Sequence, residues 1–146
     1  LEQSCKEVEN NGKRLRESFI NNNPAFKHLR DRVDRASSRG YLKGLDGRKI
    51  FIRHRHASLN TLLQGAGAIV MKKALTILSD MLVLQTIPAK IVANIHDEWQ
   101  IEVPESHANG VGALAVRCIE QASKEYDLRC PLTGEFNIGD SWYETH

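Results

Sequence analysis

The stretch AKIVANIHDEWQIEV, residues 89–103, decides how this chain is read. Ala89 to Ile95 and Trp99 to Val103 are short apolar runs that read as two strands. Between them lies the polar triplet His96-Asp97-Glu98, at a turn where side chains project from a rigid hairpin. Two adjacent carboxylates there concentrate negative charge that little except a hard cation would offset. Mg²⁺ typically takes one or two protein carboxylates and completes its shell with water and phosphate oxygens. The same triplet also reads as a solvated acidic hairpin turn.

Working outward, Pro104 stops the second strand and opens a helix on which Val111, Leu114, Ala115, Cys118, Ile119 and Ala122 form an apolar stripe. Leu132 to Ile138 reads as a last strand before Gly139-Asp140-Ser141-Trp142. Upstream, a long helix is expected over about residues 57–85. Leu59, Leu62, Leu63, Ala66, Ile69, Val70, Ala74, Ile77, Leu78 and Met81 follow steps of three and four, one continuous buried stripe. Gly65 and Gly67 weaken helix propensity there and often mark close approach by another backbone or a ligand. Asn60 and Gln64 share a different face of that helix, with His56 one turn earlier. Amide side chains both donate and accept, which suits contacts to nucleic-acid base edges. A plain polar helix face is the alternative.

Before that helix, residues 41–52 read as a β-hairpin turning at Asp46-Gly47, and the N-terminal part as two helical pieces. Val8, Leu15, Phe19 and Ile20 give the first piece a sparse apolar stripe, and Asn21-Asn22-Asn23-Pro24 interrupts it. Phe26, Leu29, Val33 and Ala36 mark one face of the second, which Gly40 ends. No repeat, low-complexity segment or interdomain linker is visible. The pattern is α+β, antiparallel β-hairpins packed on long helices.

The 146 residues suffice for one domain with a real core, and 41% hydrophobic with 26% charged residues is a globular composition. The net charge of +2 conceals an asymmetry. Residues 1–60 hold 14 Lys/Arg against 7 Asp/Glu, while residues 61–146 hold 6 against 11. A basic half suits a polyanion such as nucleic acid, and an acidic half can hold divalent cations, although a dipolar surface without a specific partner also accounts for it. The stretch from Lys27 to Arg55, with ten Lys/Arg and three acids, includes Arg48, Lys49 and Arg53. Phosphate contacts from such residues would position a duplex without reading its sequence.

Cys5, Cys118 and Cys130 show no C-x-x-C spacing, which argues against a disulfide framework or zinc site and fits a reducing, cytoplasmic setting. No apolar run reaches the roughly 20 residues of a membrane helix, and no signal peptide opens the chain. Leu1 in place of Met reads as a fragment, a processed chain, or a cloning remnant at Leu1-Glu2.

Taken together, Gly44-Leu45-Asp46-Gly47-Arg48-Lys49, residues 56–68 (HASLNTLLQGAGA), Ile95-His96-Asp97-Glu98 and Gly139-Asp140-Ser141-Trp142 with terminal His146 resemble, in order and spacing, the C-terminal palm of family A DNA polymerases. The likeness is closer to replicative bacteriophage enzymes than to bacterial DNA polymerase I, and covers nearly the whole chain. It implies that residues 1–40 are the helices following the fingers and residues 41–146 are palm hairpins and helices. It implies a catalytic set of Asp97, Glu98 and His96: Asp97 as a metal-binding aspartate of motif C, Glu98 auxiliary, and His96 near the primer terminus. Asn60 and Gln64 would contact the primer-template minor groove. His56, where bacterial members tend to carry Arg, would touch DNA along with Arg48, Lys49 and Arg53.

The implied cofactor is a pair of Mg²⁺ ions and the implied partners are primer-template DNA, dNTP and the remainder of a polymerase, with no membrane. The family's other catalytic aspartate and its nucleotide-gripping helix have no counterpart among these residues, so the chain is expected to be inactive alone, as a fragment or a split subunit. A non-catalytic nucleic-acid-binding or assembly module of polymerase ancestry is the alternative.

Overall fold

Asn23 and Pro24 divide the N-terminal helical run as expected. In the computed structural model, which describes the backbone from Glu2 to His146 and the side chains from Lys6 onward, α1 (Glu2–Asn22) ends where the Asn23 amide donates to the Phe19 carbonyl at 2.7 Å. Pro24 then occupies the first turn of α2 (Pro24–Ser37), where its missing N–H costs nothing. Cys5 lies outside the described side chains. The contacts divide the chain into two units, Leu1–Lys43 with Arg48–Leu62, and Gly44–Gly47 with Leu63–His146.

In the first unit, α2 packs on α1 and on β1 (Tyr41–Lys43), burying Ile20, Val33 and Leu42. The apolar stripe expected along α1 is mostly uncovered: Val8, Leu15 and Phe19 are exposed and only Ile20 is buried. The neighbour, α2, meets α1 near the break, where the Phe19 and Phe26 rings stand edge to face 5.8 Å apart. Gly40, at φ 81, turns the chain out of the helical segment into β1, a conformation open to glycine without steric cost. β1 pairs antiparallel with β2 (Lys49–Phe51), Leu42 opposite Ile50. The turn bond runs from the Gly47 N–H to the Gly44 carbonyl, so Leu45-Asp46 make the corner and Gly47, at φ 85, follows it. The expected turn at Asp46-Gly47 is thus displaced by one residue, inside a five-residue loop.

A 3-10 turn at Arg55–Ala57 leads into α3 (Ser58–Leu84), and the second unit is built on α3 from Leu63 onward and on α4 (Glu105–Glu125). Ala74 and Ala122, both fully buried, sit in one cluster with Val70, and Leu78, Leu82, Val111, Leu114 and Cys118 form a second. Small side chains at the first cluster let helices approach closely, and the larger ones of the second fill the space beyond. From Ile69 onward the α3 stripe is buried, apart from half-buried Ile77 and Met81, but Leu63 is 56% exposed, so the continuous stripe expected from Leu59 holds only for the later turns.

β3 (Lys90–Ile95) and β4 (Glu98–Glu102) form the second antiparallel hairpin. Trp99 packs against both clusters and Ile101 against the larger, which anchors β4 on the helices. The ladder slips between Ile91 and Ala93, leaving Val92 as an exposed bulge. Residues 131–139, where Leu132 to Ile138 had been expected to form a strand, have no regular structure. Each sheet holds two strands, and this segment spends its apolar side chains on α4 instead: Leu132 joins the Ala122 cluster and Phe136 lies against Gly112. The chain closes with the short α5 (Trp142–Thr145).

Candidate metal-binding hairpin and basic surface

The β3–β4 register pairs Ile95 with Glu98, so the link is the two-residue turn His96-Asp97 and Glu98 already belongs to β4. His96 has φ 52, as the first residue of such tight turns requires, and histidine enters this region more readily than most residues. His96 and Asp97 are exposed, and the Asp97 carboxylate has no hydrogen-bond or ion-pair partner among the described residues.

Glu98, one residue on, is in the opposite state. Its Oε1 accepts from the Gln100 amide and from the Trp142 indole N–H at 3.0 Å, and its Oε2 meets His146 Nδ1 at 2.8 Å. The hydrogen bond from Gln100, then that from His146, hold the Glu98 carboxyl below its ordinary range. Because Oε2 can only accept, Nδ1 must carry the proton in this contact. Among the described residues no three His, Cys, Asp or Glu side chains converge as a metal site.

The triplet read as one polar site therefore splits into a free carboxylate and an engaged one. Gln100, Trp142 and His146 were not among the expected partners of Glu98. The signal available was a glutamine two residues beyond Glu98, which alternation places on the same strand face.

On the first unit, Arg48, Lys49, Arg53 and His56 are all exposed. Lys49 stands directly across the ladder from Lys43, a like-charge pair that is unfavourable unless an anion neutralises it. Lys49 Nζ also lies 4.8 Å from the Tyr41 ring centroid, with the Arg39 guanidinium 5.8 Å from the same ring, so the aromatic face offsets part of that charge. The His54 and His56 rings stack 5.6 Å apart, and Arg55 donates to the Asp34 carbonyl at 3.4 Å. Asn60, in the first unit, and Gln64, in the second, are exposed positions of α3. No helix among the described residues is long and apolar enough to cross a membrane.

These features define an α+β domain with a carboxylate at the tip of an antiparallel hairpin and a separate basic hairpin. Residues 1–144 match the model of DNA polymerase family A, and the chain belongs to that family. It is 34% identical over 142 residues to a DNA-directed DNA polymerase of Escherichia phage Phieco32, a match covering 92% of this chain and 23% of that protein. The identity to the DNA-directed DNA polymerase of Escherichia phage T7 is 31% over 157 residues, covering 92% and 22%. DNA polymerase I of Geobacillus stearothermophilus is 31% identical over 108 residues, covering 73% and 12%.

The fold resembles that of the POL domain of Pol1 from M. smegmatis, solved in complex with DNA primer-template and dNTP. The TM-score is 0.66 at 24% identity, over 75% of this chain and 22% of that one. The chain thus spans less than a quarter of the length of the curated relatives it matches.

Proposed function

We propose that this chain supplies the motif C aspartate, Asp97, and part of the primer-template surface to a DNA-directed DNA polymerase. The observation that carries the reading is the contrast on one hairpin: Asp97 is exposed and has no partner among the described residues, while its neighbour Glu98 is held by three donors. A carboxylate left free on a tight turn fits one ligand position of a Mg²⁺ site. Asp97 would hold such an ion, and the chemistry a metal pair supplies when bound is activation of the attacking hydroxyl and stabilisation of the leaving oxygen. The donor set here fits one ligand and not the full pair, so the second aspartate comes from outside these residues.

His96, the other turn residue, lies beside that ligand and would face the primer terminus. Asn60 and Gln64, exposed on α3, would donate to minor-groove acceptors that every Watson–Crick pair presents, testing pair geometry without reading sequence. Arg48, Lys49, Arg53 and His56 would hold the phosphate backbone in register. In this assignment residues 1–40 follow the fingers and residues 41–146 are palm, in a polymerase of the cytoplasm. Alone, the chain does not extend a primer. Robust extension by the pure 146-residue chain that Asp97→Ala abolishes would overturn the claim that a ligand is missing.

The opposed Lys43 and Lys49 favour one second reading, a nucleic-acid-binding module without catalysis. Binding to duplex DNA should then fall steeply with salt and with Lys49→Ala, and be indifferent to Asp97→Ala and to Mn²⁺. The polymerase reading requires Mn²⁺ binding that Asp97→Ala removes when the complementary polymerase parts are present.

A further inference from the structure

The end of the chain folds back on the hairpin that carries Asp97. Trp142 Nε1 and His146 Nδ1 take one oxygen each of Glu98, and the Thr145 hydroxyl donates to the Gln100 side-chain oxygen at 3.2 Å. Glu98 and Gln100 are alternate residues of β4 and so share a face. The receiving surface is therefore two residues on one face of β4, with the Trp99 rung between them, the first directly after Asp97.

The closing segment is itself ordered for this contact. Glu144 returns its carboxylate to the Asp140 N–H at 2.7 Å and its own N–H to the Ser141 carbonyl at 3.1 Å, while the Asn137 amide donates to the Thr145 carbonyl at 3.4 Å. The Trp142 and His146 rings meet edge to face, 6.0 Å apart, so the two donors to Glu98 hold each other.

From this geometry we infer that the terminal segment, through Trp142, Thr145 and His146, is a positioning brace for the Asp97 hairpin, and that Glu98 is its receptor and not a metal ligand. A two-stranded hairpin is marginal by itself, and its tip is the part with fewest restraints. Clamping the first residue of β4 from outside the ladder limits how far the adjacent Asp97 can swing. A carboxylate with both oxygens already hydrogen-bonded gives up those bonds if it turns toward a cation, whereas Asp97 gives up none. The brace does not depend on what Asp97 does; only its consequence for metal rests on the polymerase reading.

The test uses the 146-residue chain with the complementary polymerase parts present, and follows backbone amide exchange and Mn²⁺-induced line broadening by NMR. Trp142→Phe combined with His146→Ala should speed exchange across Lys90–Glu102 by about tenfold and leave the α4 amides unchanged. Replacing His146 by Gln, which keeps an N–H donor, should restore part of that protection. Asp97→Ala should remove the Mn²⁺ broadening at the turn, while Glu98→Gln retains it. Unchanged hairpin exchange in the double variant would refute the brace, and so would loss of the broadening in Glu98→Gln equal to that in Asp97→Ala. Should Asp97→Ala leave the broadening intact, the metal reading of Asp97 fails, and the exchange data alone decide the brace.

Discussion

Individual side chains show how neighbours in sequence part in role. Asp97 and Glu98 are chemically alike and adjacent, yet one is free and the other is bound by residues 44 and 48 positions away. Such distant partners leave no trace in local patterning, which is why the triplet read as one acidic site. Elsewhere, Lys73 Nζ meets Glu125 at 2.8 Å across α3 and α4. The hydrogen bond to Glu125 raises Lys73 above its ordinary 10.5, so that contribution is complete below 10.5 and is lost as pH climbs through the raised value. The same bond lowers Glu125 below 4.5, so its contribution is complete above 4.5 and is lost as pH falls through the lowered value. The difference in urea midpoint between the native chain and Lys73→Gln should therefore be flat from about pH 5 to 10, shrink outside that window, and shrink with salt. A difference that grows in acid would contradict the pairing. At Gly112 the Phe136 ring occupies the place of a Cβ, so Gly112→Ala should cost about 1–3 kcal/mol in a denaturant titration unless Phe136 swings out.

At the scale of elements, the four long helices and both hairpins were legible because their signals are local: steps of three and four, Pro24 and Pro104 as breaks, and glycines at Gly40 and Gly47; the short α5 was not expected. The strand expected at Leu132 to Ile138 was not, because an alternating apolar run becomes a strand only beside a ladder that accepts it, and here α4 took its side chains. The α1 helix formed as read, but most of its apolar stripe stays exposed, because periodicity shows which face is apolar and not whether anything covers it. Both long helices of the second unit end alike. Thr86 and Asp127 sit at positive φ, and the next N–H, of Ile87 or Leu128, reaches back to Leu82 or Ser123. This is the Schellman closure that glycine normally makes. A β-branched residue is poorly suited to it, so Thr86→Gly should stabilise the chain by about 0.5–1 kcal/mol, a rise in Tm of roughly 2–4 °C. A lowered Tm would show that the Thr86 side chain contributes more than its backbone strain costs.

For the molecule as a whole, the two units invite separate accounts. The second leaves Val83 and Leu84 more than three-quarters exposed and Val92 bare on the bulge, beside a groove lined by Leu82, Ile87, Ala89 and Ile91. Large exposed apolar areas of this kind mark surfaces that are covered in use. The isolated chain should bind a hydrophobic dye and self-associate, or associate with a partner chain, and a monodisperse monomer that binds no dye would contradict this. The proposed role of Asp97 is in nucleotidyl transfer inside a larger polymerase. The most direct measurement is Mg²⁺-dependent primer extension by the polypeptide or complex that carries this chain in its source, native against Asp97→Ala. Extension is expected that Asp97→Ala reduces at least about 100-fold with DNA binding retained, whereas undiminished extension by the Asp97→Ala form would show that the catalytic carboxylate lies elsewhere.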